Sequence, residues 1–151
     1  MADIIGIDHI YFTVRDLKRS ESFYDRLMPA LGFRKNEFAL RGERHVQYYN
    51  RHFGLVLRPA HSGTPAHDPY APGLHHLCLR VEGRTEIDAI ADRLRNLGIE
   101  AESPRLYPDY APDYYALFLQ DPDGLRLEIT NYRAERRQRF ERWDEPEGST
   151  P

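Results

Sequence analysis

The sequence predicts an α+β chain made of two tandem βαβββ modules. The main observation is an internal match. Asp8-His9-Ile10-Tyr11-Phe12-Thr13-Val14 lies over His75-His76-Leu77-Cys78-Leu79-Arg80-Val81 at an offset of 67. Ala30-Leu31-Gly32-Phe33 lies over Asn96-Leu97-Gly98-Ile99 at 66, and Phe53–Arg58 lies over Asp123–Glu128 at 70. Near-constant spacing at three places points to duplication of a module of roughly 60 residues. The second observation is that each copy passes from period-2 alternation to a helical period and back.

In the first module, expected over about 5–60, residues 7–14 alternate, with Ile10, Phe12 and Val14 on one face and His9, Tyr11 and Thr13 on the other. Asp16 can cap a helix running to about Ala30, whose buried stripe is Leu17, Ser20, Phe23, Tyr24, Leu27, Met28 and Leu31. Pro29 distorts its last turn and Gly32 supplies the C-cap. Three short strands follow over Phe33–Leu40, His45–Asn50 and Gly54–Arg58.

Residues 61–72, rich in Pro, Gly and His, read as a linker. The second module, over about 73–131, opens with Leu74–Val81, in which His76, Cys78 and Arg80 share the polar face and His75 points the opposite way. A helix over about Thr85–Leu97 buries Ile87, Ile90, Ala91, Leu94 and Leu97. Strands are expected at Ile99–Glu102, Tyr114–Leu119 and Leu125–Thr130, the last entered through Asp121-Pro122-Asp123-Gly124. The two modules make one domain over 1–132. Beyond it, 133–151 is expected to be an Arg-rich helix to Trp143, presenting only Tyr132, Ala134, Phe140 and Trp143, then a disordered tail from Asp144.

The 151 residues, 40% apolar and 30% charged with net charge −3, describe a soluble globular chain with no electrostatic case for nucleic acid or an anionic membrane. No apolar run approaches the ~18 residues of a membrane span, and no signal peptide is visible. A single cysteine, Cys78, excludes an intramolecular disulfide and fits a reducing cytosol, so a cytoplasmic location is expected.

Glu128 sits in mid-strand with Arg126 and Thr130, where a buried charge is costly unless paired. The duplicated register sets His9 and His76 on the polar faces of equivalent strands. Two imidazoles and one carboxylate suit a divalent ion with open coordination positions, Fe(II) or Mn(II), or Zn completed by water or substrate. Each residue alone also fits an ordinary structural role: a hydrogen-bonded strand histidine, or a glutamate paired with Arg126 or Arg80.

With these pieces in place, the chain resembles the vicinal oxygen chelate superfamily: glyoxalase I, bleomycin-resistance proteins, fosfomycin-resistance enzymes and extradiol dioxygenases. The matching pieces are the His9 strand, Ser22-Phe23-Tyr24 with Leu31-Gly32-Phe33, the His76 strand and Phe118–Glu128, within residues 5–131. The resemblance implies paired modules whose mixed sheet curls into a cup with helices outside. It also implies a homodimer, and in many relatives a metal site that combines strands of both subunits. The ligand positions fall on His9, His76 and Glu128, with Fe, Mn, Zn and Ni not distinguished. The fourth position, a glutamate in glyoxalase I, falls on Arg58, which has no lone pair to offer. The pattern is therefore nearer the three-ligand members, although Tyr11 and Phe118 replace hydroxyl-bearing residues of fosfomycin-type enzymes.

The implied activity is that of a metal-dependent lyase, transferase or extradiol-type dioxygenase on a small substrate with vicinal oxygens. Tyr11, Tyr114 and Tyr115 are candidates for acid–base work. Arg58, Arg80, Arg126, Tyr49 and Phe118 are candidates for substrate binding. The alternative is a non-catalytic, bleomycin-resistance-like binding protein with a metal-free cup.

Overall fold

The structure, a computed structural model, describes residues 2–146. Its elements are β1 (His9–Val14), α1 (Leu17–Ala30), β2 (Arg34–Leu40), β3 (Glu43–Tyr49), β4 (Gly54–Pro59), β5 (His76–Val81), α2 (Arg84–Asn96), β6 (Arg105–Leu106), β7 (Tyr115–Gln120), β8 (Arg126–Asn131) and α3 (Ala134–Glu141). They form two four-stranded mixed sheets of identical wiring, β1-β4-β3-β2 and β5-β8-β7-β6, each with its helix. The first strand of each module runs parallel to the last, His9 opposite Gly54 and His76 opposite Arg126. This is the predicted α+β duplication, with a curled sheet that does not close.

Alternation decides which face each sheet buries. Phe12, Val14, Val46, Tyr48, Leu55 and Leu57 turn to α1, where Tyr24, Leu27 and Met28 meet them. Leu117, Leu119, Leu127 and Ile129 turn to α2, which contributes Ile87, Ile90 and Leu94. Both sets belong to one contiguous core. Each fully buried aliphatic side chain stabilises by about 1.5–3 kcal/mol relative to exposure. The opposite, cup-side faces carry the polar residues, and Tyr11 and Cys78 there are exposed in the single chain.

The turn before β8 also joins the modules. Asp121, buried, accepts from the backbone of Asp123 and Leu125 at 2.9 Å each and from the hydroxyl of Tyr24 on α1 at 2.9 Å. Asp123 in turn accepts from the Arg15 backbone N–H at 2.9 Å and from the Arg19 guanidinium at 3.0 Å. Gly124 closes the turn at φ +83°, where a side chain would be strained.

Several expectations differ. Ile99–Glu102 is not a strand: Glu102 makes one ladder-like bond to the Phe118 carbonyl at 2.8 Å, and the short pairing strand comes later, at Arg105–Leu106. Pro104 lacks the N–H a longer ladder would need. The Arg-rich helix is shorter than expected and leaves Phe140 and Trp143 exposed. Of the expected tail, residues 147–151 lie outside the described residues.

Candidate metal centre and its aromatic cleft

Glu128 is 3% exposed, so its charge requires compensation from within the structure. Its Oε2 lies 3.4 Å from His76 Nε2, and its Oε1 accepts a short hydrogen bond from the Tyr114 hydroxyl. Cys78 is its direct neighbour across the β5–β8 ladder. Neither Arg126 nor Arg80 pairs with it: the Arg126 guanidinium stacks on Phe118 at 4.1 Å and that of Arg80 on Tyr132 at 4.0 Å. Among the described residues no lysine or arginine forms an ion pair with Glu128. Cys78 is exposed as a residue, but desolvation around its sulfur, reinforced by the Glu128 charge, pushes the thiol up to about 12. Burial and the bond to Glu128 likewise raise Tyr114 above the ordinary phenol range.

His75 does not point away from His76, as strand parity suggests. β5 begins only at His76, so alternation does not govern the residue before it. The two Nδ1 atoms are 2.7 Å apart, one donating to the other. When His76 donates, its Nε2 presents a lone pair beside Glu128. The first module repeats this device. His9 Nδ1 lies 2.6 Å from Asp8 Oδ2, so the carboxylate accepts the Nδ1–H and leaves Nε2 as the free acceptor. A polar group fixing one ring nitrogen is how metal-binding imidazoles are commonly oriented. The paired dipeptides Asp8-His9 and His75-His76 carry the signal in the sequence.

The three predicted ligands do not gather within one chain. His76 and Glu128 belong to one sheet and His9 to the other. No three His, Cys, Asp or Glu among the described residues form a metal-holding group. The donor chemistry of the pair nevertheless fits a divalent ion: an imidazole whose ring is oriented by His75 and a buried carboxylate that no lysine or arginine among the described residues pairs with.

The register also corrects the equivalence of Arg58. His9 pairs with Gly54 as His76 pairs with Arg126, so Glu128 corresponds to Val56 and Arg58 to Thr130. The last strands are offset by 72, not 70. A slip of two preserves alternation, so the pattern alone does not detect it. Val56 offers a metal no more than arginine does, and the ligand count is unchanged. Arg58 instead pairs with Glu43 at 2.8 Å, and its Nη2 lies 3.3 Å from His61.

The remaining candidates separate by face. Tyr114 touches Glu128. Tyr115 is turned to the helix side, its hydroxyl donating to Asp88 at 2.7 Å, so it lies away from the cup. Tyr11 packs edge-on against His9 and against His45, a buried histidine of β3 outside the predicted set. Tyr49 lines a separate surface hollow with Asn50 and His52. Phe118 and Arg126 line a cleft of about 290 Å³ together with His75, His76, Tyr110, Tyr114 and Glu128. Tyr107 and Tyr110, from the loop before β7, stack at 5.6 Å and were not anticipated as site residues.

The fold has counterparts. A family model for the glyoxalase/bleomycin resistance protein/dioxygenase superfamily matches residues 6–129. The chain belongs to this superfamily. The uncharacterized protein YqjT of Bacillus subtilis (strain 168) is 27% identical over 128 residues, 80% of this chain and 94% of that one. A glyoxylase/bleomycin resistance protein/dioxygenase domain from Frankia sp. EAN1pec superposes with a TM-score of 0.70 at 25% identity, covering 87% of this chain and all of that one. TnmS3, an antibiotic binding protein from Streptomyces sp. CB03234, superposes at 0.62 with 20% identity, covering 87% and 98%, a likeness of fold alone. Among the described residues no helix is long and apolar enough to cross a membrane.

Proposed function

We propose that the protein is a divalent-metal-dependent enzyme of this superfamily, acting on a small substrate that chelates the ion through two neighbouring oxygens. The ion would be held by His76 and Glu128 of one copy and His9 of a second, in a homodimer whose cups face each other. The observation that carries this reading is Glu128 itself, a buried carboxylate beside an imidazole and a phenol and, among the described residues, without a lysine or arginine partner. The open cup faces support the dimer: Tyr11, Cys78 and His76 are all accessible on the single chain.

A bound ion would supply Lewis acidity toward charge developing on the substrate oxygens. The chain's own residues do the rest. Tyr114 holds one Glu128 oxygen and thereby aims the other. Asp8 fixes the tautomer of His9, and His75 orients the ring of His76. The aromatic residues around the cleft exclude water. Tyr114 is the phenol nearest this site and the best-placed proton carrier, with Tyr11 approaching from the other cup. The single cysteine is consistent with a cytoplasmic protein.

Elemental analysis of the purified dimer tests the proposal. About one divalent ion per chain is expected, with large losses in His76→Ala and His9→Ala. Absence of a stoichiometric ion in wild type, or unchanged content in His76→Ala, would overturn it in favour of a metal-free binding protein.

A further inference from the structure

We propose that the cleft beside Glu128 takes a planar aromatic anion, its ring among Tyr110, Tyr114 and Phe118 and its carboxylate on Arg126. The site is the one described above, so the inference deepens the enzymatic reading and rests on it for the role of the ion.

The cleft is walled by rings. Tyr110 meets Tyr114 edge-on at 5.2 Å, Tyr107 stacks on Tyr110, and Tyr107 meets Phe118 edge-on at 5.2 Å. Its volume of about 290 Å³ is at the small end for ligand pockets and suits a single ring with substituents. An aromatic cage of this kind often binds a cation through the faces of its rings. Here those faces are already taken by the chain's own guanidinium groups: Arg126 over Phe118 at 4.1 Å, Arg133 over Tyr114 at 4.6 Å and Arg105 over Tyr107 at 4.6 Å. Two of these rings, Phe118 and Tyr114, line the cleft, and a further cation would meet the repulsion of the Arg126 and Arg133 stacked on them.

Arg126 is the member placed to meet a ligand. It lines the cleft directly and faces His76 across the ladder. Among the described residues it forms no ion pair, its one close partner being the Phe118 ring. Stacking engages the face of a guanidinium and leaves its edge N–H groups in a planar fork that matches a carboxylate. Glu128 is buried, with one oxygen bonded by the Tyr114 hydroxyl, so the half-buried Arg126 is the more accessible of the two charges.

The test is calorimetric titration of the full-length, chelator-treated protein with benzoate, benzamide and benzylamine, which share a ring and differ in charge. Benzoate is expected to bind roughly tenfold more tightly than either of the others. Arg126→Gln should abolish that preference and Arg126→Lys should retain part of it, with circular dichroism confirming that both variants are folded. Equal binding of the three probes, a preference for benzylamine, or an unchanged benzoate preference in Arg126→Gln would overturn the proposal. The titration needs no metal, so its failure is distinct from that of the metal reading. A protein that selects benzoate but holds no ion overturns only the metal assignment. One that holds an ion but ignores charge overturns only this inference.

Discussion

The Tyr114 hydroxyl donates to one oxygen of the Glu128 carboxylate while His76 Nε2 lies 3.4 Å from the other, so one side chain is flanked from the loop side and from the neighbouring strand. Removing the phenol oxygen tests this division. Tyr114→Phe leaves a buried carboxylate oxygen without its donor, at about 1–3 kcal/mol of stability. Metal affinity should fall about tenfold or more, because the released carboxylate is no longer aimed. Competition against a chelator reads the affinity and a thermal melt reads the stability.

Asp8→Asn makes a complementary test at the other half of the site. The amide still accepts from His9 Nδ1–H but carries no charge, so His9 becomes a poorer donor. Affinity for Zn(II) should fall by several-fold to tenfold while the melting temperature stays near wild type, since Asp8 is fully exposed. An unchanged affinity would remove Asp8 from the site.

A crossed pair of variants decides whether the site spans two chains. His9→Ala and Glu128→Gln homodimers should each lack a complete site. Their heterodimer should regain one intact site of two, and therefore about one ion per dimer. A site built within one chain would regain nothing on mixing.

Acid stability should depend on Glu21. Arg44 grips both its oxygens at 2.8 Å and Lys35 adds a bond at 2.6 Å, which holds the Glu21 carboxyl at about 2. A depressed carboxyl stabilises the fold above its ordinary range, and the contribution fades as pH falls toward 2. Glu21→Gln should therefore melt below wild type at pH 6, with the difference shrinking as pH drops from about 5 to about 2. Asp121 acts with the opposite sign. Burial raises its carboxyl, so its contribution is fullest at low pH and is lost as pH rises through the raised value, which makes the Glu21 comparison between matched proteins necessary.

Asp121→Ala should be the costlier change. It strips the partner from a fully buried Tyr24 hydroxyl and from two backbone N–H groups of the turn. A loss of about 3 kcal/mol in urea unfolding is expected.

Period-2 alternation in the strands and the helical period between them were enough to read both modules and the polar-face positions of His9, His76 and Glu128. It was not enough where distinct arrangements share parity. The two-residue slip between β4 and β8 leaves every face unchanged, so Val56 was hidden behind Arg58. His75 lies just before its strand, where alternation has no force. Tyr107, Tyr110 and the bond from Tyr114 depend on how a turn-rich loop folds back, which no local pattern encodes. That His9 lies apart from its partners is a property of the two sheets, visible only in three dimensions.

Val56 makes the duplicated halves unequal. With a carboxylate at both corresponding positions, either half could serve in either role, and the proposed site would present four donors. With a valine in one half, the halves are complementary, like a plug and a socket. The first offers a lone imidazole, and the second offers an imidazole with an acid. In the proposed site, the place that a second carboxylate would fill is left as room, and room is what an incoming ligand needs.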